Sequence, residues 1–70
     1  MISLKSSPVF GAAVLKLSFV LNGQQDSPGY NFVYNGTLQE LNLTDKQVDD
    51  FIAEHREVLE EHIKKAGHSN

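Results

Sequence analysis

Residues 12–21 read Ala-Ala-Val-Leu-Lys-Leu-Ser-Phe-Val-Leu, and the period assigned to this run decides the fold. Leu15, Leu17, Phe19 and Leu21 alternate with Val14, Lys16, Ser18 and Val20. Strict alternation of this kind is the pattern of a half-buried β-strand. The first set is uniformly large and apolar and is expected to face a core. The second set mixes two valines with a lysine and a serine, which suits a solvated face or a modest contact surface. Upstream, Met1–Pro8 alternates weakly through Ile2 and Leu4, and Pro8 and Gly11 punctuate the chain before the strand. That pattern fits a short edge strand or a loose arm.

Downstream, Asn22–Gly29 (Asn-Gly-Gln-Gln-Asp-Ser-Pro-Gly) contains only polar residues, glycine and proline and reads as a loop between antiparallel strands. Tyr30–Tyr34 reads as a second strand, with Tyr30, Phe32 and Tyr34 on one face and Asn31 and Val33 on the other. Asn35-Gly36 is a two-residue hairpin signal. A third strand runs over about Thr37–Leu43, its alternation broken between Leu38 and the Leu41/Leu43 pair, as a bulge would break it.

Thr44–Ala66 carries the opposite period. Thr44 and Gln47 form a capping box, and Leu43 with Val48 a hydrophobic staple. Asp45, Asp49 and Asp50 crowd the start, Lys64 and Lys65 the last turn, and Gly67 follows; both ends complement the helix dipole. At about 100° per residue, Val48, Phe51, Ile52, Val58, Leu59, Ile63 and Ala66 share one broad stripe. His55 and His62 fall near its middle. Glu60 with Lys64 and Glu61 with Lys65 are four-apart pairs of stabilising orientation. The expected fold is therefore α+β: a three-stranded antiparallel β-meander covered on one face by a single C-terminal helix, in the order β-β-β-α. Residues 1–70 form one small domain, with 1–10 an arm or edge strand and 67–70 a tail.

The two histidines admit two readings. Either they lie at a groove edge with satisfied hydrogen bonds, or the helix stripe is a contact between two copies with both rings inside it. In the second case protonation near physiological pH would loosen the contact. Seven residues of helix separate them by about 10 Å, too far for one metal ion, and no carboxylate or cysteine stands at a chelating spacing on that face.

Composition limits the rest. Seventy residues make one domain, of a size that is marginal without help. There is no cysteine, which removes disulfides, thiolate metal sites and cysteine nucleophiles. The net charge of −3 is carried wholly by residues 44–70, where seven acids face four bases. No basic cluster exists to grip phosphates, so no nucleic-acid partner is expected. Tyr30, Phe32 and Tyr34 lack the basic neighbours of an RNA-recognition sheet. No apolar run approaches the ~20 residues of a membrane span, and the N-terminal region makes a poor signal peptide; a cytoplasmic, membrane-free protein is expected. Asn35-Gly36-Thr37 and Asn42-Leu43-Thr44 match the glycosylation sequon but read as turn and cap chemistry.

No serine sits in a nucleophile-elbow setting, no glycine-rich phosphate loop is present, and the acid pairs Asp49-Asp50 and Glu60-Glu61 lie on the polar flanks of the helix. So neither catalysis, a cofactor nor a small-molecule substrate is expected. The expected function is a small soluble protein–protein interaction module that self-associates, as a dimer. Its candidate interface comprises Val14, Val20, Tyr30 and Tyr34 on the bare sheet face and His55 and His62 on the helix stripe. The alternative is a small regulator or inhibitor that docks on one target enzyme, as virus- and mobile-element-encoded proteins do. It would act through its acidic helix face or the Asn22–Gly29 loop. A minimal hydrolase built on His55 or His62 would require those rings open to solvent beside a carboxylate.

Overall fold

The fold, seen in a computed structural model that describes residues 6–67, is all-helical. α1 spans Pro8–Leu21, α2 spans Pro28–Leu41 and α3 spans Asp45–Gly67. Among the described residues there is no strand, so the meander and its β-β-β-α order are overturned. The first expected strand lies in one helix of 14 residues, and the second with most of the third lies in another of the same length.

The reasons are local. Each of the first two helices opens on a Ser-Pro pair: Ser7-Pro8 and Ser27-Pro28. Serine suits the cap position. Proline suits the first helical turn, where its missing N–H would find no partner anyway and its φ is already helical. Ser27 Oγ accepts from the Tyr30 N–H at 3.0 Å. Each helix also closes the same way. The Gln24 N–H donates to the Phe19 carbonyl at 2.8 Å and the Gly23 N–H to Val20 at 3.1 Å. Likewise the Leu43 N–H donates to Leu38 at 2.9 Å and the Asn42 N–H to Gln39 at 3.3 Å. These are the paired bonds of the Schellman motif, and the left-handed residue it needs is Gly23 (φ 70°) in one case and Asn42 (φ 58°) in the other.

The alternation in 12–21 is real, but a helical period runs through the same apolar residues. Phe10, Ala13 and Leu17, three and four apart, are buried, and so is Ala12 on the flank. A helix that is apolar nearly all round must be surrounded, and α1 is the central element, packed against both α2 and α3. Asn35-Gly36 lies inside α2 instead of turning a hairpin. Tyr30, Tyr34 and Leu38, four apart, are its buried stripe. Phe19 meets the Tyr30 ring at 4.8 Å, and Tyr30 stacks on Tyr34 at 5.3 Å. Pro8 opens α1 and Phe10 is buried, so residues 8–10 are neither arm nor edge strand. Residues 1–5 and 68–70 lie outside the described residues.

α3 begins as its sequence signals require. The Thr44 N–H donates to Gln47 Oε1 at 2.8 Å and the Gln47 N–H to Thr44 Oγ1 at 3.2 Å. Leu43 and Val48 both belong to the packed core. The helix is not continuous, however. His55 adopts φ −121° and ψ 29°, and the helix bends there. No proline or glycine stands near the bend. Phe10 touches rings on both sides of it, edge-on to Phe51 at 6.2 Å and to His62 at 5.2 Å. Val58 and Ala66, placed on the buried stripe by a straight-helix count, are exposed. Glu61 pairs with Lys65 at 3.4 Å as expected, whereas Glu60 pairs with Arg56 at 2.6 Å.

Candidate functional site

Three features of the folded chain offer chemistry: a polar bridge at the junction of the helices, the histidines of α3 and the outer face of α2.

The bridge centres on Lys16, mid-way along α1. Its Nζ donates to Asp45 Oδ1 at 2.9 Å and to Asp49 Oδ1 at 2.5 Å, one turn apart at the start of α3. It also lies 5.4 Å from the centre of the Tyr34 ring of α2, and the Tyr34 hydroxyl donates to the same Asp45 oxygen. One cation thus ties all three helices together, with cation–π and carboxylate contacts at once. Burial alone would lower the Lys16 ammonium; its hydrogen bonds to Asp49 and Asp45, with their charges, outweigh it and the net shift is upward. The hydrogen bonds from Tyr34 and Lys16 hold the Asp45 carboxyl below its ordinary value. Burial, then donation to Asp45, pushes the Tyr34 phenol far up, and burial raises Tyr30 against the partly offsetting Lys16 charge. The Lys16 ammonium and the Tyr34 hydroxyl are both engaged by carboxylates whose side chains stay more than half exposed. An open groove of about 500 Å³ beside them is lined by Lys16 and Asp45 themselves, by the amides of Gln25, Asn31 and Asn35, and by the two tyrosines. This arrangement is a clamp, and the acid it presents to the groove, Asp45, already accepts from both Lys16 and Tyr34.

The histidines are half-buried against aromatic rings: His55 lies tilted at 4.6 Å from Phe51 and His62 edge-to-face at 5.2 Å from Phe10. Glu54 Oε1 is 3.9 Å from His55 Nε2, beyond a hydrogen bond. Among the described residues no three His, Asp or Glu side chains are grouped as a metal site would need.

The structure separates the six residues proposed as an interface. Tyr30 and Tyr34 are 5% and 6% exposed; they are core residues between α1 and α2, because four-residue spacing on a helix turns both inward. Val14 is half-buried against the core. Val20 is exposed at the end of α1. His62 meets Phe10 of α1, and His55 packs on Phe51 of its own helix. Among the described residues no sheet face exists to unite the six.

The same change of period moves Phe32 outward. In a strand it would share a face with Tyr30 and Tyr34; on a helix it lies opposite them, and it is 83% exposed. Val33 beside it is half exposed. Gly29, Gly36 and Gln39 are exposed with them, and Phe32 and Gly36 line a shallow groove of about 400 Å³. The one charged residue of α2 is Glu40, near its end. The sequence carried this signal in the Tyr30–Tyr34–Leu38 spacing, which fixes the inward side of α2 and leaves Phe32 on the other.

Comparison with known proteins adds no assignment: no family model, no curated protein and no solved structure matches the chain. Among the described residues no helix is long and apolar enough to cross a membrane.

Proposed function

We propose that this chain is a small, non-catalytic protein–protein interaction module that docks through the outer face of α2. The observation that carries this reading is Phe32. A phenylalanine ring left 83% exposed in the middle of a regular helix forgoes the ~2 kcal/mol that burial of such a side chain provides. It stands beside exposed Val33 on a face free of charge until Glu40. Aromatic enrichment with depletion of charge is the composition of the centre of a protein interface. The non-catalytic part rests on the clamp, where the Lys16 ammonium and the Tyr34 hydroxyl are held on Asp45 and Asp49.

The test compares wild-type protein with Phe32→Asp as immobilised baits, each offered purified copies of the chain and a lysate of its host. Any partner, self or foreign, held by the wild type and lost by the variant supports the reading. Identical sets of retained proteins on the two baits would overturn it. A foreign enzyme bound through α2 would make the module a regulator of that enzyme.

A further inference from the structure

Four outward residues of α2 are spaced by three, four and three: Gly29, Phe32, Gly36 and Gln39. That is the a–d–a–d spacing of a coiled-coil seam, and all four are exposed. The two a positions are glycines, and a Cβ built on either would meet nothing within 4 Å. The two d positions are large. We infer that this face is self-complementary and that its occupant is the α2 of a second copy, running antiparallel. The inference rests on the reading of α2 as a docking face and names its partner.

The geometry favours one orientation. In a parallel pair, like positions meet, so glycine would face glycine and the two Phe32 rings would collide. In an antiparallel pair a meets d. Phe32 then enters the gap left by Gly36 of the other copy, and Gln39 that left by its Gly29. Each layer joins one large and one absent side chain, and the two-fold axis passes near residue 34, giving an isologous contact. Charge does not oppose it. In this register Glu40 of each copy reaches the first turn of the opposing α2, whose amides favour an acid; that turn holds no acid, and Asp26 lies ahead of it, before the Ser27 cap. The acidic excess lies in residues 44–70, outside α2, so the contact brings no acid-rich helix into the interface. Size sets the strength. A helix of 14 residues is about 21 Å long, so the shared face is smaller than a standard specific interface and the pair is weak and reversible.

Sedimentation equilibrium over protein concentrations up to about 1 mM tests this on the full chain. The wild type should pass from 7.8 kDa to twice that mass. Gly36→Leu fills the gap in open space, so it should melt no lower than the wild type yet dimerise about tenfold more weakly or worse, the effect expected of overpacking. Orientation is read by disulfide trapping, for which the cysteine-free chain is suited. Gly29→Cys mixed with Gln39→Cys should cross-link readily. Gln39→Cys alone should not, because in the antiparallel pair those positions lie about 15 Å apart along the axis. A wild type that stays monomeric throughout, a Gly36→Leu dimer as tight as the wild type, or efficient self-linking of Gln39→Cys would each overturn the inference. A monomer that still holds a foreign protein through Phe32 would leave the docking reading standing and remove only the second copy as its partner.

Discussion

Two residues with positive φ set where the first two helices stop, and they differ in what the backbone costs them. Gly23 takes φ 70° without penalty, whereas Asn42 at φ 58° carries a Cβ into a region that disfavours one. Gly23→Ala should therefore destabilise by about 1 kcal/mol or more, and Asn42→Gly should be neutral or mildly stabilising, both read from chemical denaturation. Asp45 supplies a second prediction at this scale. Its folded carboxyl titrates below the ordinary value, so the fold binds the ionised form preferentially. The stability this provides is complete above about pH 4, the unfolded value, and is lost as the pH falls through the lowered folded value. Denaturation midpoints measured across that range should drop on acidification, and the drop should shrink in Asp45→Asn. An unchanged acid limb in the variant would place the sensitivity elsewhere.

The three elements were legible to different degrees, for physical reasons. α3 was readable because its cap, its charges and its apolar stripe agree on one period, and Thr44→Ala should cost about 1 kcal/mol by removing a cap bond that is present. Its bend at His55 was not readable, since no breaker residue stands there. α1 was misread because an apolar run with few polar residues supports periods of 2 and 3.6 alike. The residues that break the tie, Ser7-Pro8 before it and Asn22-Gly23 after it, lie outside the run. The same bracket, Ser27-Pro28 with Asn42, encloses α2, where the turn-forming Asn35-Gly36 pair pointed to a hairpin. Tertiary packing overrode that local preference: Tyr30, Tyr34 and Leu38 gain a core by lying on one side of a helix. Once α2 is helical its outer face follows directly, and Phe32 could have been singled out from spacing alone. Leu17→Ala, which empties a site 2% exposed where the helices meet, should cost about 2–5 kcal/mol, visible as a loss of cooperative unfolding in a domain this small.

At the scale of the whole molecule, the chain separates its polar and apolar assets. Residues 44–70 hold the net charge, α1 is the central helix with Phe10, Ala12, Ala13 and Leu17 buried, and α2 turns Phe32 and Val33 to solvent on a helix whose one charge is Glu40. Phe32→Asp should therefore leave the monomer's stability within about 0.5 kcal/mol, as surface changes do, while abolishing association; a large loss of stability would mean that Phe32 is not on the outside. All of this depends on the rotational phase of α2, with Tyr30 and Tyr34 inward and Phe32 outward. The chain has two tyrosines and no tryptophan, so the ultraviolet absorbance of tyrosinate reports that phase without interference. Both phenols are raised in the fold by burial, which favours their neutral form. The stability this gives is intact below about pH 10, the ordinary tyrosine value, and is lost as the pH rises above it. An alkaline titration followed at once by tyrosinate absorbance and far-ultraviolet circular dichroism decides the matter. Neither tyrosine should ionise near its ordinary value while the helices persist, and ionisation should come together with unfolding. Two tyrosines ionising near pH 10 in a chain that stays helical would contradict the inward placement of Tyr30 and Tyr34 and would remove the face on which the proposed function depends.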